Sequence, residues 1–369
     1  MEMKRICSKC VMDNIGDPTI SFDSDGVSNY WHEAMKKWED EYFPNERGQK
    51  EIEKMLDTIK ANGKNSEFDC IIGLSGGLDS SYLAYLASKW DLRMLAIHCD
   101  DGFDVSVGTE NVDKLAKYMG IDVVELKVDL EQYYGVIAAY LRAGVPNGAA
   151  AQDNLILAGI WNLARKYNVR SFLSGINFAL EGILQRGNTI TNKDTTNIYD
   201  ICRRFGKGAS IKNLKFISPS RQDYLHWMMG ISDYAPLNYV DYNMKNAIET
   251  LHNACGFEYY GGKHYENTFT KFIQQIWLVE KFNVDKRKSH YSSMIASRQM
   301  SRDEALKMLE KPVIKSEERM NIIKDISGKT GITVDEIENM LKTPGVQHNT
   351  YKTSRYLKVK NSARKLLKR

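Results

Sequence analysis

Ser75-Gly76-Gly77-Leu78-Asp79-Ser80-Ser81 is the densest run of groups able to hold phosphate in the chain. Two adjacent glycines reach backbone angles closed to other residues and let a ligand approach the main chain. The hydroxyls of Ser75, Ser80 and Ser81 add donors, and a helix opening just after the glycines would aim its free N–H groups at the same space. Asp79 falls in the first helical turn, where a carboxylate suits the helix dipole and can hold Mg2+ against phosphate oxygens. The pattern is that of a phosphate cradle. It lacks the Gly-Lys-Ser/Thr of a Walker loop, so no lysine of the loop reaches a terminal phosphate. A Ser-Gly-Gly surface turn is the bland alternative. Context favours the cradle: an apolar run at 70–74 precedes it and Asp-Ser-Ser opens a helix after it.

Other chemistry-bearing groups sit at comparable places. A second apolar run, 92–99, ends in His98-Cys99-Asp100-Asp101-Gly102. Beyond the carboxyl end of a parallel strand these residues would flank the cradle, where Asp100 and Asp101 could contact a ribose hydroxyl or a metal; an Asp-Gly turn is the alternative. A further run, 169–173, ends in Ser174-Gly175, with Asn177 and Glu181 just beyond. Tyr259 to Glu266 is a glycine turn that carries aromatics, Lys263, His264 and a carboxylate together, a set suited to a negatively charged sugar or nucleotide, although such turns also simply link helices. Cys7-Ser8-Lys9-Cys10 has the spacing of half a zinc site. A second thiol pair is needed, yet the chain offers Ser28 and Trp31, with His32 as the one usable substitute; otherwise the two are reduced structural cysteines. His252 and Cys255 are spaced like ligands on one helix face, or like ordinary packed residues.

The elements that must position these groups alternate. Residues 70–74, 92–99, 122–128 and 169–173 read as strands, and the segments after residue 78 and at 110–118, 131–142 and 152–167 read as helices. That alternation predicts an α/β domain with a doubly wound, mainly parallel sheet. A charged helix is expected over 39–66, and helical period returns from 241, with Ser301 and Glu304 forming a cap. The polar, glycine-broken stretch 182–213 is expected as a lid whose arginines and lysines close over phosphates, or as solvated charge. The expected organisation is a Cys-containing segment at 1–45, an ATP-binding domain at 46–240, a helical substrate or partner region at 241–345 and a basic tail at 346–369.

With 369 residues, 43% apolar and 27% charged, the chain falls among globular proteins able to bury a large core. Its formal net charge of +4 is too small to imply nucleic acid. Residues 351–369 carry eight lysines and arginines and no acid, which suits an anionic membrane surface or RNA, or a frayed, solvated helix. Six cysteines over this length point to reduced thiols, and the absence of a membrane-length apolar run or of a signal-peptide core at Met1-Glu2-Met3-Lys4 leads us to expect a cytoplasmic protein.

Ser75-Gly76-Gly77-Leu78-Asp79-Ser80 resembles the pyrophosphate loop of the N-type ATP pyrophosphatases, which transfer AMP to a substrate oxygen. A wider set resembles the bacterial N-acetyl sugar amidotransferase family of surface-polysaccharide and flagellar-glycan synthesis. It comprises Cys7-Ser8-Lys9-Cys10-Val11-Met12-Asp13, Phe43-Pro44-Asn45-Glu46, 69–74 with the loop, 143–147, Glu181-Gly182-Ile183-Leu184, 238–243 and Tyr260-Gly261-Gly262-Lys263-His264-Tyr265-Glu266. The family usually has a second cysteine pair where this chain has Ser28 and Trp31. The resemblance implies an adenine nucleotide alpha hydrolase-like fold, ATP and Mg2+ as cofactors, and Zn2+ at Cys7 and Cys10. It also implies a nucleotide-linked acetamido sugar as substrate and ammonia from a separate glutaminase. Ser75, Gly76, Gly77, Asp79, Ser80, Ser81, His98, Asp100, Asp101, Ser174 and Gly175 would then hold the nucleotide. Asp79 would position the metal, and Lys263 and His264 would serve the sugar or its phosphates. Two rivals share the loop: a tRNA-modifying pyrophosphatase, marked by salt-dependent tRNA binding, and a non-catalytic nucleotide-binding scaffold for a glutaminase, marked by ATP binding without product.

Overall fold

Ile71 and Ile72 point to opposite faces of the central strand and both are buried, so this strand must be covered on two sides. The computed structural model describes residues 3–367 and meets that demand with a five-stranded parallel sheet. Its strands are β1 (Cys70–Gly73), β2 (Met94–Asp100), β3 (Val123–Lys127), β4 (Ser171–Leu173) and β5 (Ser232–Tyr234), in the order β3-β2-β1-β4-β5. Ile72 is in register with Ala96 of β2 and Leu173 of β4. One face packs on the helices Glu46–Gly63, Leu78–Lys89, Ser106–Met119 and Met244–Cys255 through residues such as Ile59, Leu83, Leu115 and Leu251. The other packs Ile71, Leu95 and Ile97 against Ala164, Val169 and Ile231. The fold is the doubly wound α/β class expected.

Four strands lie within two residues of their expected bounds. β5 was not expected: three residues, none fully buried, give no alternating apolar signal at a sheet edge. The single helix expected over 39–66 is two, Asn29–Glu41 and Glu46–Gly63, separated by Phe43-Pro44 because proline restricts the residue before it and removes a helix donor. The stretch 182–213 contains the helix Thr195–Phe205. Its buried Asn197 donates to the carbonyls of His348 and Lys352, and Asp194 accepts from Ser354 N, so this stretch holds the chain's last segment in place. Its arginines are engaged elsewhere, Arg186 with Glu33 and Arg203 and Arg204 with Asp200. Residues 346–354 are bound into the core, with Tyr351 OH donating to Ala143 O, and the basic helix Arg355–Leu367 follows. Lys368 and Arg369 of the tail, and Met1 and Glu2, lie outside the described residues. Among the described residues no helix is long and apolar enough to cross a membrane.

β1 has β2 on one side and β4 on the other, and the connections leave in opposite directions. That reversal opens a crevice beyond the strands' carboxyl ends, the usual ligand position in such sheets. The loop after β1 and Ser174-Gly175 after β4 both open into it. Gly76 has φ +76°, and a Cβ there would collide with the Gly108 carbonyl of the neighbouring helix. The end of β2 braces this arrangement. His98 Nδ1 lies 2.7 Å from Leu74 O and its Nε2 3.2 Å from Asp104. Burial disfavours charge on His98, but the Asp104 carboxylate and Leu74 O outweigh it and raise its pKa. Asp101 is buried and accepts from Gln152 Nε2, from Asn267 Nδ2 at 2.9 Å and from Phe103 N at 3.0 Å.

Two outcomes follow for stability. Gly76→Ala combines a left-handed backbone with a main-chain collision, so urea denaturation should show a loss of about 2 kcal/mol or more; an unchanged midpoint would contradict the close approach of Gly76 to Gly108. For Asp101, burial first and the Asp104 charge second raise the carboxyl pKa to about 6. The native state therefore holds this proton more tightly than the unfolded chain, where aspartate titrates near about 3.9. Its contribution is fully present below that value and is lost as pH rises through about 6. Wild type should lose stability relative to Asp101→Asn over that window by an amount of order 3 kcal/mol; parallel pH profiles would refute it.

Candidate active site

The helix Leu78–Lys89 starts at Gly77, which carries no side-chain cap. Leu78 N donates to Tyr260 OH at 2.9 Å, Gly77 N donates to Ser75 Oγ at 3.2 Å, and the Ser75 and Ser80 hydroxyls are 3.1 Å apart. Helix geometry leaves the N–H groups of Asp79 and Ser80 without an intrahelical carbonyl, directed into the crevice. Ser75, Gly77, Asp79, Ser80, Ser174 and Gly175 line a cavity of about 230 Å3. Gly175 packs against the Asp79 backbone, so the ends of β1 and β4 close on each other.

Lys263 enters this cavity from the glycine turn. Its Nζ lies 2.6 Å from Asp79 Oδ2 and 2.9 Å from Glu181 Oε1, and all three side chains are largely buried. Tyr242 OH donates to the other Asp79 oxygen. Burial opposes the charge on Asp79, but Lys263 and the Tyr242 hydroxyl outweigh it and hold its pKa below the usual value. Burial likewise opposes charge on Lys263, and the two carboxylates overcome it and raise its pKa. His290 lies at the same wall, its pKa pushed down to about 4 by burial and then by Lys263, so its imidazole is neutral at pH 7. Glu266 brings Oε1 within 3.7 Å of His264 Nδ1, while its buried Oε2 has no hydrogen-bond partner.

A second cavity of about 670 Å3 adjoins the first. The two share Glu181, Met244, Tyr259, Lys263, His264 and His290. The larger chamber adds the exposed Lys245 and Lys307 and the half-buried Lys286 and Arg287; Arg287 is paired with Asp285 at 2.7 Å, whereas the three lysines have no carboxylate partner among the described residues. Leu184 is the one residue of the 182–213 stretch that lines it.

The remaining sequence candidates fall outside the cradle. His98 and Asp101 serve as the braces described above, and Asp100 accepts from Gly102 N at 2.8 Å in a tight Asp-Gly turn. Ser81 is fully buried under the loop, with its hydroxyl unpartnered. Gly76 shapes the loop without lining the cavity. The zinc expectation is corrected by donor count. Cys7 and Cys10 are buried together, Ser28 N donates to Cys7 Sγ at 3.3 Å and Ser28 Oγ lies 4.0 Å from Cys10 Sγ, but among the described residues no further His, Cys, Asp or Glu completes a group of three with them. His32 is exposed, 2.7 Å from Asp23. Two thiols fall short of a tetrahedral site, and Arg302 instead closes this loop by donating to Cys7 O and Cys10 O. His252 accompanies Phe257 O and Cys255 accompanies Leu251 O, both local helix-end contacts.

Magnesium is a better match to the cradle. Asp79 and Glu181 already gather two hard oxygen donors around one cation position, now taken by Lys263, and Glu266 presents an orphaned carboxylate oxygen nearby. Among the described residues no three His, Cys, Asp or Glu side chains converge as a preformed metal cage. That suits an ion held by one or two carboxylates together with substrate phosphates. Tyr242 and His290 had not been placed in the site from sequence, whereas Glu181 had been noted just beyond Ser174-Gly175 and Tyr260 and Glu266 only as members of the 259–266 turn. Their approach is tertiary, and only the clustering of polar and aromatic residues at 259–266 signalled part of it.

Residues 62–176 match the asparagine synthase family, and residues 266–365 match the family described as LPS biosynthesis protein WbpG-like, C-terminal domain. No curated protein sequence matches the chain. Among solved structures, NH3-dependent NAD synthetase from Campylobacter jejuni subsp. jejuni, in complex with the nitrate ion, is 16% identical, covering 56% of this chain and 96% of that one with a TM-score of 0.30. NMN synthetase from Francisella tularensis is 16% identical, covering 61% and 100% with a TM-score of 0.31. The first family match contains β1, the loop and Ser174-Gly175; the second contains Glu266, His290 and much of the chamber wall. The asparagine synthase match supports an ATP-dependent, amidotransferase-type enzyme. Together the two matches support the resemblance read from the sequence, to the bacterial N-acetyl sugar amidotransferase family.

Proposed function

We propose that the protein converts the acetamido group of a nucleotide-linked sugar into an acetamidino group at the expense of ATP, in surface-polysaccharide or flagellar-glycan synthesis, with ammonia supplied by a separate glutaminase. The observation that carries this reading is the junction of the two cavities. A phosphate-sized cradle opens, past Lys263 and His264, into a chamber large enough for a glycosyl nucleotide. Much of its wall belongs to the segment that matches an LPS-biosynthesis domain, which favours a sugar over a tRNA base as the acceptor.

The chemistry fits these groups. The acetamido oxygen attacks the α-phosphorus of ATP; the bond to the bridging oxygen breaks and pyrophosphate leaves. Ammonia then adds to the activated carbon, the C–O bond breaks, and AMP departs with the former amide oxygen, so NH replaces O. The Asp79 and Ser80 N–H groups and the Ser75 and Ser80 hydroxyls would hold the leaving pyrophosphate, where oriented donors stabilise developing charge at little reorganisation cost. Asp79 and Glu181 would hold Mg2+, which would supply further charge neutralisation on the phosphates. Lys263 would then pair with phosphate oxygens in place of those carboxylates. Lys286, the half-buried one of the chamber lysines without a carboxylate partner among the described residues, is where the sugar's phosphates are expected. Neutral His290 keeps a further positive charge from crowding Lys263.

Mass spectrometry of reactions containing magnesium-ATP, ammonium and a panel of acetamido nucleotide sugars tests this reading. AMP, pyrophosphate and a sugar with oxygen replaced by NH are expected, with Asp79→Asn and Lys263→Gln each slowing AMP formation by about 100-fold or more. Lys286→Gln should raise the sugar KM several-fold with kcat little changed, about what the loss of one charged hydrogen bond predicts. ATP binding with no product from any sugar, even with a glutaminase present, would overturn the reading in favour of a scaffold; adenylation of tRNA would overturn it in favour of an RNA-modifying enzyme.

A further inference from the structure

The basic helix Arg355–Leu367 is docked on the helix Pro219–Met229, far along the chain from the loop. Tyr356 OH donates to Asp223 Oδ2 at 2.7 Å, and Lys360 pairs with the same carboxylate. One side of the basic helix, with Leu357, Lys360, Asn361 and Arg364, covers a cavity on the sheet face. The opposite side is bare: Val359 is 71% and Leu366 72% exposed, seven residues apart and therefore on one stripe. The partner helix adds Tyr224, Trp227 and Met228 at i, i+3 and i+4, with Trp227 80% exposed. Isolated exposed apolar residues need no explanation, but an exposed tryptophan beside two aliphatic residues on joined helices forms a patch.

Unpaired positive charge is concentrated on the same two helices and beside them. Arg165, Lys215 and Arg221 gather around a cleft on one side of the helix Pro219–Met229, and Lys193 and Arg364 border the cavity on the other. Arg355 and Lys358 are exposed on the basic helix. None of these seven cations pairs with a carboxylate among the described residues; of the two acids that line the cavity with Lys193 and Arg364, Asp223 is already neutralised by Lys360 and Asp233 is exposed. Residues 351–369 contain no acid to serve as an internal counter-charge.

We propose that this face docks on an anionic phospholipid surface, with Trp227, Met228, Val359 and Leu366 entering the boundary between headgroups and acyl chains and the neighbouring lysines and arginines neutralising lipid phosphates. Aliphatic and tryptophan side chains beside concentrated cations are the chemistry of interfacial insertion. An RNA groove would instead interleave its bases with stacking aromatics along a track. The proposal stands apart from the adenylating chemistry, because no residue of the patch lines the phosphate cradle.

Vesicle flotation of the full chain tests it, using phosphatidylcholine with and without phosphatidylglycerol, at low and at raised salt. Binding is expected only with phosphatidylglycerol, falling as salt rises. The double variant Arg355→Glu with Lys358→Glu should weaken binding at least about tenfold, and Trp227→Ser should weaken it severalfold, while circular dichroism and AMP formation stay at parent levels. Failure to float with phosphatidylglycerol at low salt, or equal binding by the variants, overturns the proposal. Tighter binding of tRNA than of vesicles, weakened by the same substitutions, also overturns it and assigns the face to RNA.

Discussion

The site is organised by a buried ammonium shared between two carboxylates. Lys263 comes from the glycine turn ahead of the C-terminal helices, Asp79 from the first turn after β1, and Glu181 from the short helix after β4. Three separate parts of the chain therefore converge on one charge. Taking such charges out of water costs several kcal/mol each, and that cost is recovered only when partners and hydrogen bonds are well placed. Tyr242 supplies one of those hydrogen bonds, to Asp79. Removing any one member leaves the others buried and uncompensated, so the network positions the loop against the C-terminal region as strictly as it positions the lysine.

The same constraint accounts for the rest of the crevice. Tyr260, from the turn that carries Lys263, accepts from Leu78 N, and Glu266 of the same turn accepts through its carbonyl from Val105 N ahead of the next helix. Gly76 and Gly108 meet without side chains between them, and Asn111 donates to Glu258 O and, at 3.4 Å, to Gly76 O. The glycine turn is thereby tied to both helices that follow β1 and β2. A cradle that could be formed by one strand and one helix alone is here completed by a distant segment, which is why its far wall is also the near wall of the large chamber.

How much of this was legible in sequence depends on whether the cause was local. β1 and its loop were readable because a short apolar run, two glycines and Asp-Ser-Ser each carry a conformational preference within a few residues. The capping box at Ser301 and Glu304 was readable for the same reason and is present with both of its bonds. β5 was not, since a three-residue edge strand owes its form to Phe172 and Leu173 beside it rather than to its own pattern. The roles of His98 and Asp101 were hidden too. A residue at the end of a parallel strand can face the crevice or the core, and that choice was made by Leu74 O, Gln152 and Asn267, all remote in sequence. The cysteine pair shows the converse error: C-x-x-C spacing is local, but a metal site needs ligands that only the tertiary fold can bring, and the fold brings Ser28.

Charge at the wall between the cradle and the chamber is largely balanced. Lys263 is balanced by two acids, Arg287 by Asp285, and His290 is kept neutral by burial and by its cationic neighbour. Had His290 carried a proton, it would have placed a second cation against Lys263 in a poorly solvated wall, where repulsion is least screened. Lys245, Lys286 and Lys307 line the chamber without a carboxylate partner among the described residues; Lys245 and Lys307 are exposed, whereas Lys286 is half-buried, with a pKa that burial lowers despite Asp17. A half-buried cation is less screened than exposed ones and so weighs most in the local potential. Affinity for an anionic group and its position are then set by the same residue, so a substrate phosphate bound there would be fixed at a defined distance from the cradle across the shared wall of Lys263 and His264.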